Sequence, residues 1–447
     1  MKGLLLVFLF SISLFADIYS GRVVNTISGN GVAYAKITSK INSVKTDKNG
    51  YFKIYSPDNH LSIRAKGYKR KNTYFNGGNI ELLPFRTKAL YVSMDAVKNR
   101  KKLKTILNIA ARTKINTLVV DVKIAKGYLT FKGKNGLARS IGAYRYSARV
   151  NPKKFVKFLK SHGVYLIARY PVFKDDLLAR KRPNLAVKKR GRIFRDRDKL
   201  RWVNPYKSFV QNYNINLVKE IAAYGFDEIQ FDYIRFPAHN HLSYGHKHNQ
   251  NERVKALQKF LRKAKYSLTP YNVFTSIDTF GAACWTNYDV GLGHNLKRLK
   301  KYVDYISPML YPSGFTHGIP GLRNPLNNNY KVVSASIKSS MRKHKISPKQ
   351  FKPWLQAFND YAFDRRRYGQ KQLNDQIRAC DNLGTSGWLV WNSSCNYKKY
   401  FPYKGSHKKR YKKKTRYKKR YHKKIRHKKR YYRKTRHKKR YHKKRTT

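Results

Sequence analysis

The sequence is poor in acid. Its 447 residues include only 22 Asp and Glu against 100 Lys and Arg, a formal net charge of +78. Any acid–base chemistry must draw on that short list of carboxylates. Cysteine is scarcer still: Cys284, Cys380 and Cys395 are all there is, too few for a disulfide scaffold and without the C-x-x-C spacing of a zinc site. No metal or cofactor is expected. No G-x-G-x-x-G turn follows a strand and no phosphate-binding loop occurs, which argues against a nucleotide-binding doubly wound sheet. What is present is 41% hydrophobic and 14% aromatic residues, ample for a large core.

The one strongly apolar run lies at the N-terminus. Lys2 is followed by apolar residues from Gly3 to Phe15 and then Ala16-Asp17. A positive start, an apolar centre and a small residue at the end describe an export signal over residues 1–16. As a helix the run would span only about 20 Å, short of the ~30 Å hydrocarbon thickness. No Cys follows it, which excludes a lipoprotein anchor. No later stretch reaches the length of a membrane span. The expected location is periplasmic, extracellular or at the cell surface, where cysteines are free to pair.

Residues 18–84 alternate apolar and polar positions between turn signals, as in Gly21-Arg22-Val23-Val24 and Tyr51-Phe52-Lys53-Ile54, the pattern of a small β-sandwich. Thr46-Asp47-Lys48-Asn49-Gly50-Tyr51-Phe52 reads as a hairpin turn with Gly at positive φ. With its Gly-x-Val opening and Thr-Asp-x-x-Gly-x-Phe turn, this stretch resembles the carboxypeptidase regulatory-like fold, which implies a spacer or adhesion unit. From residue 89 to 400 the pattern becomes strand, helix, strand. Near-continuous apolar runs at Leu90–Met94, Thr117–Val122, Tyr165–Tyr170, Glu228–Ile234, Val273–Ile277, Tyr305–Leu310, Trp354–Phe358 and Trp388–Trp391 are strands buried on both faces. With helical segments between them, they predict an α/β fold, a (β/α)8 TIM barrel.

Such barrels carry their chemistry at the C-terminal strand ends, and seven of the eight ends here are polar. The strands lead out to Asp95, to Asp121 and Lys123, to Arg169 and Asp175, to Gln230, Asp232 and Arg235, to Asp278, to Tyr311, to Gln356 and to Trp391. Alternation places Gln230 with Asp232 on one face and Ser276 with Asp278 on one face. Two carboxylates on adjacent strands suit glycosidic cleavage. Asp232, held ionised by Arg235, would be the nucleophile or stabilising base; Asp278, its proton retained among Phe274 and Phe280, would be the acid. Asp95, Asp121, Lys123, Arg169, Asp175, Gln230, Arg235, Tyr311, Gln356 and Trp391 are the expected substrate-binding groups.

Several longer motifs carry a family resemblance: Asn116–Lys123, Ala168–Asp175, Trp202-Val203-Asn204-Pro205-Tyr206, Gly225–Pro237, Asp304–Pro312 and Pro353-Trp354-Leu355-Gln356. On them, residues 89–392 resemble a bacterial glycoside-hydrolase-like family, a domain of unknown function related to α-amylase-type barrels. The resemblance implies a nucleophilic Asp on the fourth strand, which maps onto Asp232. The fifth-strand acid, often Glu in related barrels, maps onto Asp278. It implies a polysaccharide substrate. The alternative is a non-catalytic polysaccharide- or polyanion-binding envelope protein that retains the cleft.

Residues 404–447 hold 26 Lys and Arg and no acid, with Lys-Lys-Arg-Tyr recurring at 408, 418, 428 and 438. Such a segment cannot bury a core; it is expected to be disordered and to bind polyanions by counterion release. In an exported protein the fitting partners are anionic envelope polymers or extracellular DNA. A basic balance remains before it, 74 basic against 22 acidic groups, which suggests an acidic glycan as substrate. Deleting residues 404–447 is expected to weaken salt-sensitive retention on a polyanion column sharply while leaving cleavage of soluble oligosaccharides unchanged.

Overall fold

The computed structural model describes residues 16–402. The expected export signal, except its last residue, and the basic tail lie outside the described residues. Among the described residues no helix is long and apolar enough to cross a membrane.

The chain opens with β1 (Asp17–Asn25), β2 (Lys36–Thr38), β3 (Ser43–Lys45), β4 (Tyr51–Ser56), β5 (His60–Arg64), β6 (Lys71–Tyr74) and β7 (Asn79–Leu82). These form two sheets, ordered β4-β1-β7 and β3-β2-β5-β6. Alternation decides which side is inside: in β4, Phe52, Ile54 and Ser56 are buried and the residues between them exposed. They meet Val23, Ile37, Leu61, Ile63 and Ile80 in one core. The Thr46–Phe52 turn departs from the expected hairpin. β3 pairs with β2 and β4 with β1, so the turn carries the chain from one sheet to the other. Asp47 Oδ1 accepts from the N–H groups of Asn49 and Tyr51, and Gly50 sits at φ +91°, where a Cβ would stand 2.5 Å from the Val23 carbonyl.

Eight parallel strands then close into a barrel: β8 (Thr87–Val92), β9 (Thr117–Asp121), β10 (Tyr165–Pro171), β13 (Glu228–Asp232), β14 (Phe274–Phe280), β15 (Tyr305–Met309), β16 (Trp354–Gln356) and β17 (Gly387–Trp391). A two-residue-strand hairpin, β11 (Lys188–Lys189) and β12 (Arg192–Ile193), lies after β10. Every residue of β9, β10 and β13 is buried, as parallel strands covered by helices require. Closure is thinnest between β15 and β16, paired only at Met309 and Trp354; Pro308 and Pro353 there have no N–H to give. The crossover helices include Arg100–Arg112, Pro152–Lys160, Gln250–Ser267 and Asn329–His344, and each starts at an Asn whose side chain accepts a first-turn N–H. Asn caps as well as Asp does, which suits a chain short of carboxylates. The β14–β15 connection contains only a four-residue α-helix, Leu296–Leu299.

The two-sheet module sits against the N-terminal end of the barrel. Arg64 pairs with Asp304 at 2.8 Å and donates to Asn272 Oδ1; Arg70 donates to the Tyr271 carbonyl, and the Gly67 N–H reaches the Tyr305 hydroxyl. Asp304 and Asp227, which Lys160 and Arg70 neutralise, each stand directly before a barrel strand. That end is therefore closed by protein, and the opposite end is open. The Arg64 guanidinium holds the Asp304 carboxyl below the usual range despite burial. Its contribution is therefore present above about pH 4 and lost as pH falls through the depressed value. Arg64→Ala strands Asp304 in a mostly buried site and is expected to cost about 3 kcal/mol in denaturant unfolding at pH 7, with a smaller deficit in acid.

Candidate active site

At the open end a cavity of about 340 Å³ is lined by polar groups from four strand ends and by aromatic rings. Its centre is Arg169, on β10. In register with Asp121 on β9 and Gln230 on β13, it points into the barrel mouth. Nη1 donates to Asp121 Oδ1 at 2.6 Å, Nη2 bonds Asp232 Oδ2, and Nε lies 3.9 Å from Asp278 Oδ2. One guanidinium thus meets carboxyls from three strands. The Trp391 ring, 5.0 Å from the guanidinium carbon, forms its floor.

The three carboxyls differ in surroundings. Asp232 closes β13; its Oδ1 accepts the Tyr233 N–H at 2.6 Å. Tyr233 has φ +47°, a conformation costly for an aromatic residue and characteristic of functional sites. That backbone turn places the ring on the cavity wall. Asp278 is 3% exposed, and its Oδ1 accepts from Trp354 Nε1 at 2.8 Å. Burial first, and then the Asp232 charge, push the Asp278 carboxyl well above its ordinary value, over the opposing pull of Arg169 and Trp354. Asp121 is raised by burial too, although it accepts from both Arg169 and the Tyr91 hydroxyl. Four buried groups with one positive charge cannot carry three negative ones cheaply, and the proton settles where donors are fewest.

Six of the expected site residues line this cavity: Asp232, Asp278, Arg169, Arg235, Tyr311 and Trp391. Asp121 stands behind Arg169. The others lie elsewhere. Asp95 is exposed in the first turn of the helix Met94–Lys98 and pairs with Lys98. Lys123 and Asp175 form a buried ion pair of their own at 2.8 Å, and Asp175 also caps the helix Asp176–Lys181. Gln230 donates to Ser307 in the barrel interior, and Gln356 donates to Ser313 and accepts its N–H.

Two expected electrostatic partners need correction. Asp232 bonds Arg169, not Arg235; the Arg235 guanidinium instead packs on Trp202, Tyr233 and Phe280. Phe274 is remote from the mouth, lying beneath Arg64 at the closed end, so it does not surround Asp278. Sequence reasoning missed Phe315 and Tyr361, which lie in loops and complete the wall. Gly281 makes room for one of them: a Cβ there would stand 2.6 Å from the Phe315 ring and from the Met309 carbonyl. The three cysteines are free and buried. Among the described residues no group of three or more His, Cys, Asp or Glu could hold a metal ion.

Residues 89–397 match the family model described as "Putative glycosyl hydrolase domain". A solved hypothetical protein from Ruminiclostridium thermocellum is 36% identical over 42% of this chain and 96% of its own, with a TM-score of 0.38. The PgaB (BpsB) glycoside hydrolase domain from Bordetella bronchiseptica is 12% identical over 70% of this chain and 95% of that one, with a TM-score of 0.52; at that identity the likeness is one of fold alone. No curated protein matches the sequence. The family match takes in the whole barrel mouth, from within β8 to beyond Trp391, and the chain belongs to this family of glycosyl hydrolase domains.

Proposed function

We propose that the barrel hydrolyses a glycosidic bond of an envelope or extracellular polysaccharide, with Asp278 as general acid and Asp232 as the carboxylate facing the anomeric carbon. The observation that carries this reading is the shared guanidinium: Arg169 contacts both carboxyls, while burial beside Asp232 keeps the proton on Asp278. Two neighbouring carboxyls, one of which keeps its proton, are the pairing that glycoside hydrolysis uses for its acid and its second carboxylate. The acid protonates the leaving oxygen and becomes anionic. Arg169 Nε, 3.9 Å away, is placed to take up that charge, and Asp232 meets the oxocarbenium-like carbon. Tyr311 and Trp391 on the wall offer faces for a sugar ring. A start at Lys2 followed by Gly3–Phe15 supports an exported setting. The rival reading, a polysaccharide-binding protein without turnover, draws on Asp232 being engaged by Arg169; absence of any turnover by the wild type would favour it.

Asp278→Asn is expected to slow cleavage of natural glycans by about 10²–10⁴-fold and to spare aryl glycosides whose leaving groups need no proton. Asp232→Asn should lose both. Similar losses on both substrates for the two variants would overturn the assignment of the acid. Trp354→Phe removes a donor that favours the ionised form of Asp278. The Asp278 value should therefore rise further, and the alkaline limb of the pH–rate profile should move to higher pH; a shift to lower pH would contradict it.

A further inference from the structure

Two cations share the aromatic pair Trp202 and Tyr233 beside the cavity. Lys174 lies 5.8 and 5.2 Å from these rings and is neutralised by Asp196 and Asp198. Arg235 lies 4.7 and 5.3 Å from them and 4.9 Å from the Phe280 ring. Among the described residues it has no carboxylate partner. Of its five N–H donors, the one bonded to protein is on Nη1, 3.0 Å from its neighbour's carbonyl, Phe236 O. Three aromatic rings pack around the guanidinium, and it borders the same cavity as Asp232 and Asp278. Burial acts against its charge, and the more distant Asp232, Asp196 and Asp198 offset that cost only in part. His294, next to it, is pushed down to about 4 by burial and by Arg235 itself, so it adds no second positive charge at neutral pH.

We infer that Arg235 is a carboxylate-binding subsite, and that the glycan taken by this cavity bears a uronic acid at or next to the bond that is cleaved. A fixed planar fork with free N–H groups matches the two oxygens of a carboxylate, and the rings that hold the fork in place also exclude water from one side of it. The inference rests on the reading of this cavity as a glycan site. It adds the substrate's charge, which the two catalytic carboxyls do not specify.

The test uses the full chain at physiological salt, with di- and trisaccharides of gluco-, manno- and galacturonate and the same sugars after reduction of each carboxyl to an alcohol. Binding is followed by the fluorescence of the cavity tryptophans, and cleavage by product release. At least one uronide should bind the wild type at least about tenfold more tightly than its reduced counterpart. Arg235→Gln should erase that preference, lowering affinity for the uronide far more than for the reduced sugar, and Arg235→Lys should restore only part of it. Arg235-dependent uronide binding without cleavage of any glycan would sustain the subsite and overturn the hydrolase reading. Cleavage of neutral glycans with no preference for carboxylates, or a preference that survives in Arg235→Gln, would overturn the subsite and leave the hydrolase reading standing. Unfolding of Arg235→Gln, checked by circular dichroism, would pass the decision to Arg235→Lys, whose retained charge without a planar fork must lower the preference.

Discussion

The guanidinium of Arg169 holds the mouth of this barrel together. It sits on the third barrel strand and reaches carboxyls at the ends of the second, fourth and fifth. Without it, three acidic side chains would face one another in a largely dry site, which proteins do not sustain in ionised form. With it, the cluster holds some negative charge but not all of it. The constraint creates the functional asymmetry: Asp232 is bonded directly, whereas Asp278 is 3.9 Å from Nε and takes its other contact from an indole N–H. The acid assignment follows from this shortage of positive charge.

The rest of the fold serves to keep that cluster rigid. Parallel strands with both faces buried fix the register that sets Arg169 beside Asp121. The two-sheet module covers the opposite end through Arg64, Arg70 and Gly67. Deeper in the barrel Glu228 is neutralised by Lys352 and bonded by Tyr165 and Ser276, a second buried network with no access to the cavity. Tyr233 departs from the favoured backbone region immediately after Asp232, and the same turn brings Arg235 and its rings to the wall.

Much of this was readable in the sequence, for reasons that particular residues make plain. Strands buried on both faces leave continuous apolar runs, so the barrel and its strand ends could be named. Period-two alternation then put Asp232 and Asp278 on the inner face. The partner of Asp232 could not be read in the same way. Arg235 is near in sequence, but the chain turns at Tyr233 and alternation stops applying; Arg169 is distant in sequence and adjacent across the ladder. Asp95 and Asp175 were misleading because the end of a barrel strand is also where the next helix begins. There a polar residue serves the first turn or the cap as readily as a substrate. Phe315 and Tyr361 sit in loops, where no period assigns a direction to a side chain.

The most direct measurement of this account is a ¹³C titration of the aspartate carboxyl carbons in the wild-type protein, with the Asp278 resonance identified by its loss in Asp278→Asn. The account predicts that Asp278 keeps its proton well above the range of an ordinary aspartate, about 3.9. Titration of Asp278 within that ordinary range would contradict it, because the cavity would then hold no acid to protonate a leaving group.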